Sequence, residues 1–308
     1  MEVFTLTMTQ LANMFIFLII GFIMRKKEIG GEGVSKTLSA LLVNVFLPAM
    51  FILNFRDNFT VKNISENLYM LLAGTLVLLI SIIPAKIFSR LLARDNLQKD
   101  VYMYSLLIPN LGYMGYPLMQ AVFGNEMQFN MMMFAIPYQL TIYTYGMYIL
   151  NPNRDLSLKR LLNPILIALF VGMILGITQI PVPKFLLNTM DSAQVCMAPS
   201  AMILTGFVLG KTDFKPLFKD ARLFFAALLR GFIIPIAFLI CMMLLKVPSV
   251  YIIVSTVLLS MPMGLNSIVF PEAYGGDSLT GAKSAFVSNL ISIVSIPVMF
   301  TILGFICK

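Results

Sequence analysis

The chain has 308 residues, 59% of them hydrophobic and 12% charged, with a mean hydropathy of +0.89. A soluble domain is about half apolar and about one quarter charged, so this is the composition of a polytopic membrane protein without a sizeable soluble domain. Histidine is absent, which removes histidine metal sites, Ser-His and Cys-His catalysis and histidine proton relays together.

Cys196, Cys241 and Cys307 lie in apolar segments without CxxC spacing, so neither a disulfide framework nor a zinc site is expected. No metal and no cofactor is expected, and the reading is not that of an enzyme. The formal charge of +8 sits in short clusters between apolar runs. That is how membrane topology is set, and without a basic stripe it argues against nucleic acid as a partner.

At roughly 20 apolar residues per spanning helix, ten spans are predicted, at about 6–24, 34–54, 67–89, 101–121, 130–150, 162–180, 185–210, 221–245, 250–274 and 282–306. Arg25, Lys26 and Lys27 follow the first apolar run instead of preceding it, so that run is not read as a cleaved signal peptide. Sixteen Lys and Arg, from Arg25 to Lys283, fall in loops on one side; five (Arg56, Lys62, Lys184, Lys246, Lys308) fall on the other. The positive-inside rule then places both termini outside a cell membrane crossed many times.

One internal period stands out, near 151 residues: Gly21 matches Gly172, Pro48 matches Pro199, Pro84 matches Pro235 and Gly124 matches Gly275. The fold class expected is therefore an all-α polytopic membrane protein of ten helices in two five-helix repeats, residues 1–150 and 160–308. Five is odd, so the second repeat enters the bilayer inverted. Inverted repeats are a recurrent plan of secondary transporters, with the substrate near the midplane where corresponding helices are broken.

Each half carries such a helix. The fourth span reads Pro109-Asn110-Leu111-Gly112-Tyr113-Met114-Gly115-Tyr116-Pro117; its two prolines and two glycines disfavour continuous helix by about 8 kcal/mol. The ninth reads Met261-Pro262-Met263-Gly264-Leu265-Asn266. Pro109, Pro117 and Pro262 are the expected breakers. Unwound backbone at this depth must be buried in protein or line a cavity, and half-helices starting after each break turn positive ends inward, favouring an anion.

Asn110 and Asn266 either cap the half-helices and touch a ligand or only satisfy broken backbone. Arg230, about ten residues into the eighth span, is either an anion ligand or coupling charge, or pairs with helix-end carbonyls. Gln139 in the fifth span is a further ligand candidate, and Asn44 in the second a lesser one. Gly172 and Gly176 read as a close helix contact. Gly206-Phe207-Val208-Leu209-Gly210-Lys211-Thr212 is one residue short of a P-loop and ends an apolar span, so it does not support ATP-driven pumping.

At these residues the chain resembles the auxin efflux carrier family. Pro109 to Leu118 followed by Phe123-Gly124 is similar to its first crossover; Pro262-Met263-Gly264 with Val269-Phe270 and Tyr274 is similar to its second. Leu47-Pro48-Ala49 and Gln139 also fit. The resemblance implies a bile acid:sodium symporter-like fold. A scaffold of spans 1, 2, 6 and 7 would carry a moving transport unit of spans 3–5 and 8–10, as in an elevator.

It further implies a compact prokaryotic member, akin to permeases for malonate, malate or related organic anions. The short linker between halves fits that reading. The third span lacks the acidic residue of plant members, so coupling to H+ or Na+ is left open. The expectation is a secondary transporter of a small organic anion, with substrate bound by Asn110, Gly112, Gly115, Gln139, Gly264, Asn266 and Arg230. The alternative is a channel-like or sensor protein gated at the crossover. Expected partners are the anion and the lipid bilayer, with a homodimer left open.

Overall fold

The computed structural model describes residues 2–31, 33–152, 164–211 and 219–306. The predicted junction of the two halves, with Arg154, Lys159 and Arg160, stands outside the described residues, as do Thr212, Lys215, Cys307 and Lys308. Regular structure among the described residues is helical apart from one isolated bridge, the outcome expected where the backbone must satisfy itself without water.

Helices stand at all ten predicted positions. They are α1 (Glu2–Lys26), α2 (Val34–Asn58), α3 (Leu68–Leu92), α4 (Asn96–Leu107), α5 (111–123) and α6 (125–149). The chain continues through α7 (Pro164–Thr178), α8 (Lys184–Leu209), α9 (Ala221–Leu244), α10 (Ser249–Ser260), α11 (Asn266–Tyr274) and α12 (Ser278–Ile306). By length and composition α2, α3, α8, α9 and α12 are each able to cross a membrane among the described residues.

Leu72, Leu76 and Ile83 on α3 and Phe170 and Ile174 on α7 are more than half exposed. So much outward apolar surface fits hydrocarbon, not water. Two helices begin earlier than hydropathy alone suggests. Asp95 caps α4, accepting from Gln98 N at 2.8 Å, and Asp277 accepts from Thr280 N at 2.9 Å at the start of α12. A capping carboxylate extends each helix past its apolar window.

Glycines set the tightest packing. A methyl group on Gly21 of α1 would stand 2.0 Å from the Ile203 carbonyl oxygen of α8, and one on Gly206 1.9 Å from that of Leu18. Gly172 and Gly176 of α7 press likewise on α2, at Phe51 and Ile52 and at Phe55, the close contact their spacing predicts. The two pairings correspond: Gly21 to Gly172 and Ile52 to Ile203 are both steps of 151 residues (172 − 21 and 203 − 52). Elsewhere α3 packs on α4 and α6, and α9 on α12 and α10.

Both predicted breaks are present. Helix α4 ends at Leu107 with Ile108 extended (φ −102°, ψ 116°), and α10 ends at Ser260 with Met261 extended (φ −65°, ψ 145°). The two extended segments run antiparallel across each other, bridged at Pro109 and Met263. Asn110 N donates to Pro262 O at 2.8 Å and Gly264 N to Ile108 O at 3.2 Å. The unwound backbone of one break therefore satisfies the other, which is why Pro and Gly are tolerated there.

Beyond the breaks, α5 and α11 each stop at a glycine of positive φ: Gly124 (φ 84°, ψ 177°) and Gly275 (φ 88°, ψ 159°). That region is essentially closed to residues with a Cβ. A single bent helix is thereby separated into α5 and α6.

Candidate substrate-binding site at the helix crossing

A narrow pocket with about 30 Å³ of interior space opens beside the crossing. Asn110, Gly112, Gln139, Gly264 and Asn266 line it, along with Pro109. Five of the seven residues expected to bind substrate are thus brought together from spans distant in sequence. Gly115 and Arg230 are not among the lining residues. A methyl on Gly115 would meet Met131 Cε at 3.0 Å and Met261 Cγ at 3.4 Å, so that glycine serves packing behind the wall. The side chain of Pro117 stands outside the described residues.

The polar groups of the pocket divide into those the protein satisfies and those it leaves open. Asn110 is 1% exposed, and neither its Oδ1 nor its Nδ2 has a partner among the described residues. It does not cap α5 with its side chain, and no side chain caps α11, so the expected capping role is not the one observed. Its backbone needs no help either, since Asn110 N reaches Pro262 O and Asn110 O accepts from Gly115 N at 3.0 Å. A buried amide left wholly unpaired costs about 1–3 kcal/mol per group. What remains for it is to face something that enters the pocket.

Gln139 is held more firmly. Its Nε2 donates to the Tyr116 hydroxyl, which fixes the amide and leaves Oε1 without a partner among the described residues. Asn266 Oδ1 is likewise unpartnered. Helices α5 and α11 both begin at the pocket edge and turn their positive ends toward it, although Ser267 N and Ile268 N of α11 already donate to Gly264 O (3.2 Å) and Leu265 O (2.9 Å). Three amide side chains and two positive helix ends therefore converge on one small space, and Gly112 keeps it open, 3.7 Å separating its missing Cβ from Met50 and Met197.

The remaining wall is apolar and aromatic. Leu47, Met50 and Phe51 of α2, Met197 of α8 and Tyr104, Tyr116 and Tyr143 line it, Tyr143 with its ring edge-on to Phe51. Leu47 and Tyr116 fall in the family motifs read from the sequence; the others carry no such mark, because an apolar or aromatic residue within a span does not show which face it occupies. Wide π turns at Leu42–Phe46, Leu111–Gly115 and Ile142–Gly146 precede or contain wall residues, and such turns recur at functional sites because they rotate the following side chains.

Arg230 sits in a fourth π turn, Leu229–Ile233, and is 0% exposed. Its Nε donates to Met261 O at 3.1 Å and Nη1 to Leu106 O at 2.9 Å, contacts of the helix-end kind, while its buried Nη2 has no partner among the described residues. Asn44 lies on the outer surface, its amide spent on Ala40 O at 2.8 Å. Among the described residues no group of three or more Cys, Asp or Glu side chains is placed to hold a metal ion. The pocket presents amides, helix ends and apolar surface.

No curated protein matches the chain. A family model described as a membrane transport protein matches residues 6–158 and 153–300, nearly the whole length. It agrees with the resemblance drawn from the two crossover motifs: the chain belongs to this auxin efflux carrier-like family of membrane transport proteins.

Proposed function

We propose that this transporter is a secondary carrier of a small organic anion, a carboxylate, held between the two helix breaks and exposed alternately to each side of the cell membrane. The observation that carries the reading is Asn110. Its buried amide has no partner among the described residues and faces a pocket edged by the starts of α5 and α11. The unpaired Asn110 Nδ2 donor and the positive helix ends favour a carboxylate over a cation. The unpaired oxygens of Gln139 and Asn266 are acceptors, suited to a donor elsewhere on the ligand and not to its carboxylate, in an otherwise apolar pocket.

The carrier has ten spans in two inverted halves. Support comes from the matched glycine contacts of α1 on α8 and α7 on α2, related by 151 residues. The crossing supports it independently: Asn110 N to Pro262 O and Gly264 N to Ile108 O exchange under one step of 154 (264 − 110 and 262 − 108). Helices α1, α2, α7 and α8 are the scaffold; the others carry the breaks and move as an elevator.

The pocket lies where these groups meet, its amides on the moving side and Leu47, Met50, Phe51 and Met197 on the scaffold. Both termini lie outside, as the distribution of Lys and Arg indicates.

The test is counterflow in vesicles reconstituted with the purified protein and preloaded with unlabelled mono- or dicarboxylates. Saturable uptake of the labelled acid, abolished by Asn110→Ala, is expected. Flux that does not saturate, or binding restricted to cations or neutral sugars, would overturn the proposal.

A further inference from the structure

Four helix ends meet at the crossing, and their charges oppose one another. Each end of a helix behaves as roughly half an elementary charge, positive at the amide end and negative at the carbonyl end. Helices α5 and α11 present amide ends, whereas α4 and α10 present carbonyl ends. Left alone, the four would nearly cancel, and an anion in the pocket would gain little from them.

The cancellation is lifted by one side chain. Arg230 donates to Leu106 O in the last turn of α4 and to Met261 O at the end of α10. No carboxylate among the described residues forms an ion pair with it. Its full positive charge therefore faces two half-negative ends, and it is fully buried, where such interactions are least screened. It is absent from the pocket wall.

We propose, building on the carrier reading above, that Arg230 is a specificity-determining positioning residue. By occupying both carbonyl ends it leaves the amide ends of α5 and α11 uncancelled, and so sets the preference for an anion without touching it. The guanidinium suits the task because its planar fork reaches two acceptors at once.

The experiment measures binding of butyrate against butyramide, and benzoate against benzamide, to the purified full-length protein and to Arg230→Met and Arg230→Lys. Each acid and its amide share a shape and differ in charge. The acid-to-amide affinity ratio is expected to fall about tenfold in Arg230→Met. In Arg230→Lys, which keeps the cation but loses the fork, the ratio stays within about threefold of the parent while both affinities drop.

Equal losses for acid and amide in Arg230→Met would mean a structural role only and overturn the proposal. A ratio that collapses in Arg230→Lys would do the same, and this arm remains readable where Arg230→Met does not fold. If the unaltered protein shows no preference for either acid, the anion-carrier reading itself falls. If it shows the preference and Arg230→Met retains it, only the role of Arg230 falls.

Discussion

Asn110→Ala separates a binding role from a structural one because the two predict opposite changes in stability. A structural asparagine contributes hydrogen bonds, and losing them costs about 0.5–1.5 kcal/mol each. Asn110 makes none with its side chain among the described residues, is 1% exposed and holds two unpaired groups. Its backbone bonds to Pro262 O and from Gly115 N survive the substitution, and the deleted atoms border an existing pocket, so no closed void forms. The unliganded variant should be as stable as the parent or more stable by up to about 2 kcal/mol, water in the pocket offsetting part of the desolvation cost. Thermal unfolding in detergent, with and without the acid that gives the strongest counterflow, reads both effects. The expected pattern is an unchanged or raised melting temperature without ligand, and loss of the ligand-induced rise. A variant destabilised by more than about 2 kcal/mol that still binds the acid would refute the reasoning.

Four other substitutions test the geometry around that amide. Gly264→Ala places a methyl 3.2 Å from Ile108 O and 3.4 Å from Pro109 O; it should spread the crossing, cost about 1–3 kcal/mol in unfolding measurements and lower uptake. Gly124→Ala and Gly275→Ala, each at a φ closed to alanine but with open space for its Cβ, should each cost about 1–3 kcal/mol, and similar melting shifts are expected from the pair. Tyr116→Phe removes the hydroxyl that orients Gln139; acid affinity in equilibrium binding should fall about three- to tenfold with little change in stability, and an unchanged affinity would detach Gln139 from the site.

The breaks were legible in the sequence because Pro and Gly act through the backbone, and their cost is local and large wherever they fall. Two prolines and two glycines within Pro109–Pro117 cannot be absorbed by packing, so an interrupted helix follows whatever surrounds it. The same holds for Gly124 and Gly275, whose equal spacing in the sequence reappears as equal backbone geometry. The apolar wall was not legible. Met50, Phe51 and Met197 are chemically indistinguishable from residues that face lipid, and only the packing of α2 and α8 brings them to the pocket. Arg230 lies between these cases. Its burial followed from one charge deep in an apolar run, but its partners are main-chain carbonyls, which carry no sequence signature at all. Asn110 shows the limit from the other side. Whether an asparagine beside a break repairs the backbone or faces a ligand depends on whether the second break supplies the missing acceptors, and that is a relation between Asn110 and Pro262, 152 residues apart (262 − 110). Because Pro262 O and Ile108 O satisfy the backbone, the side chain is freed, and the polar group that looks like a repair becomes the one available for chemistry.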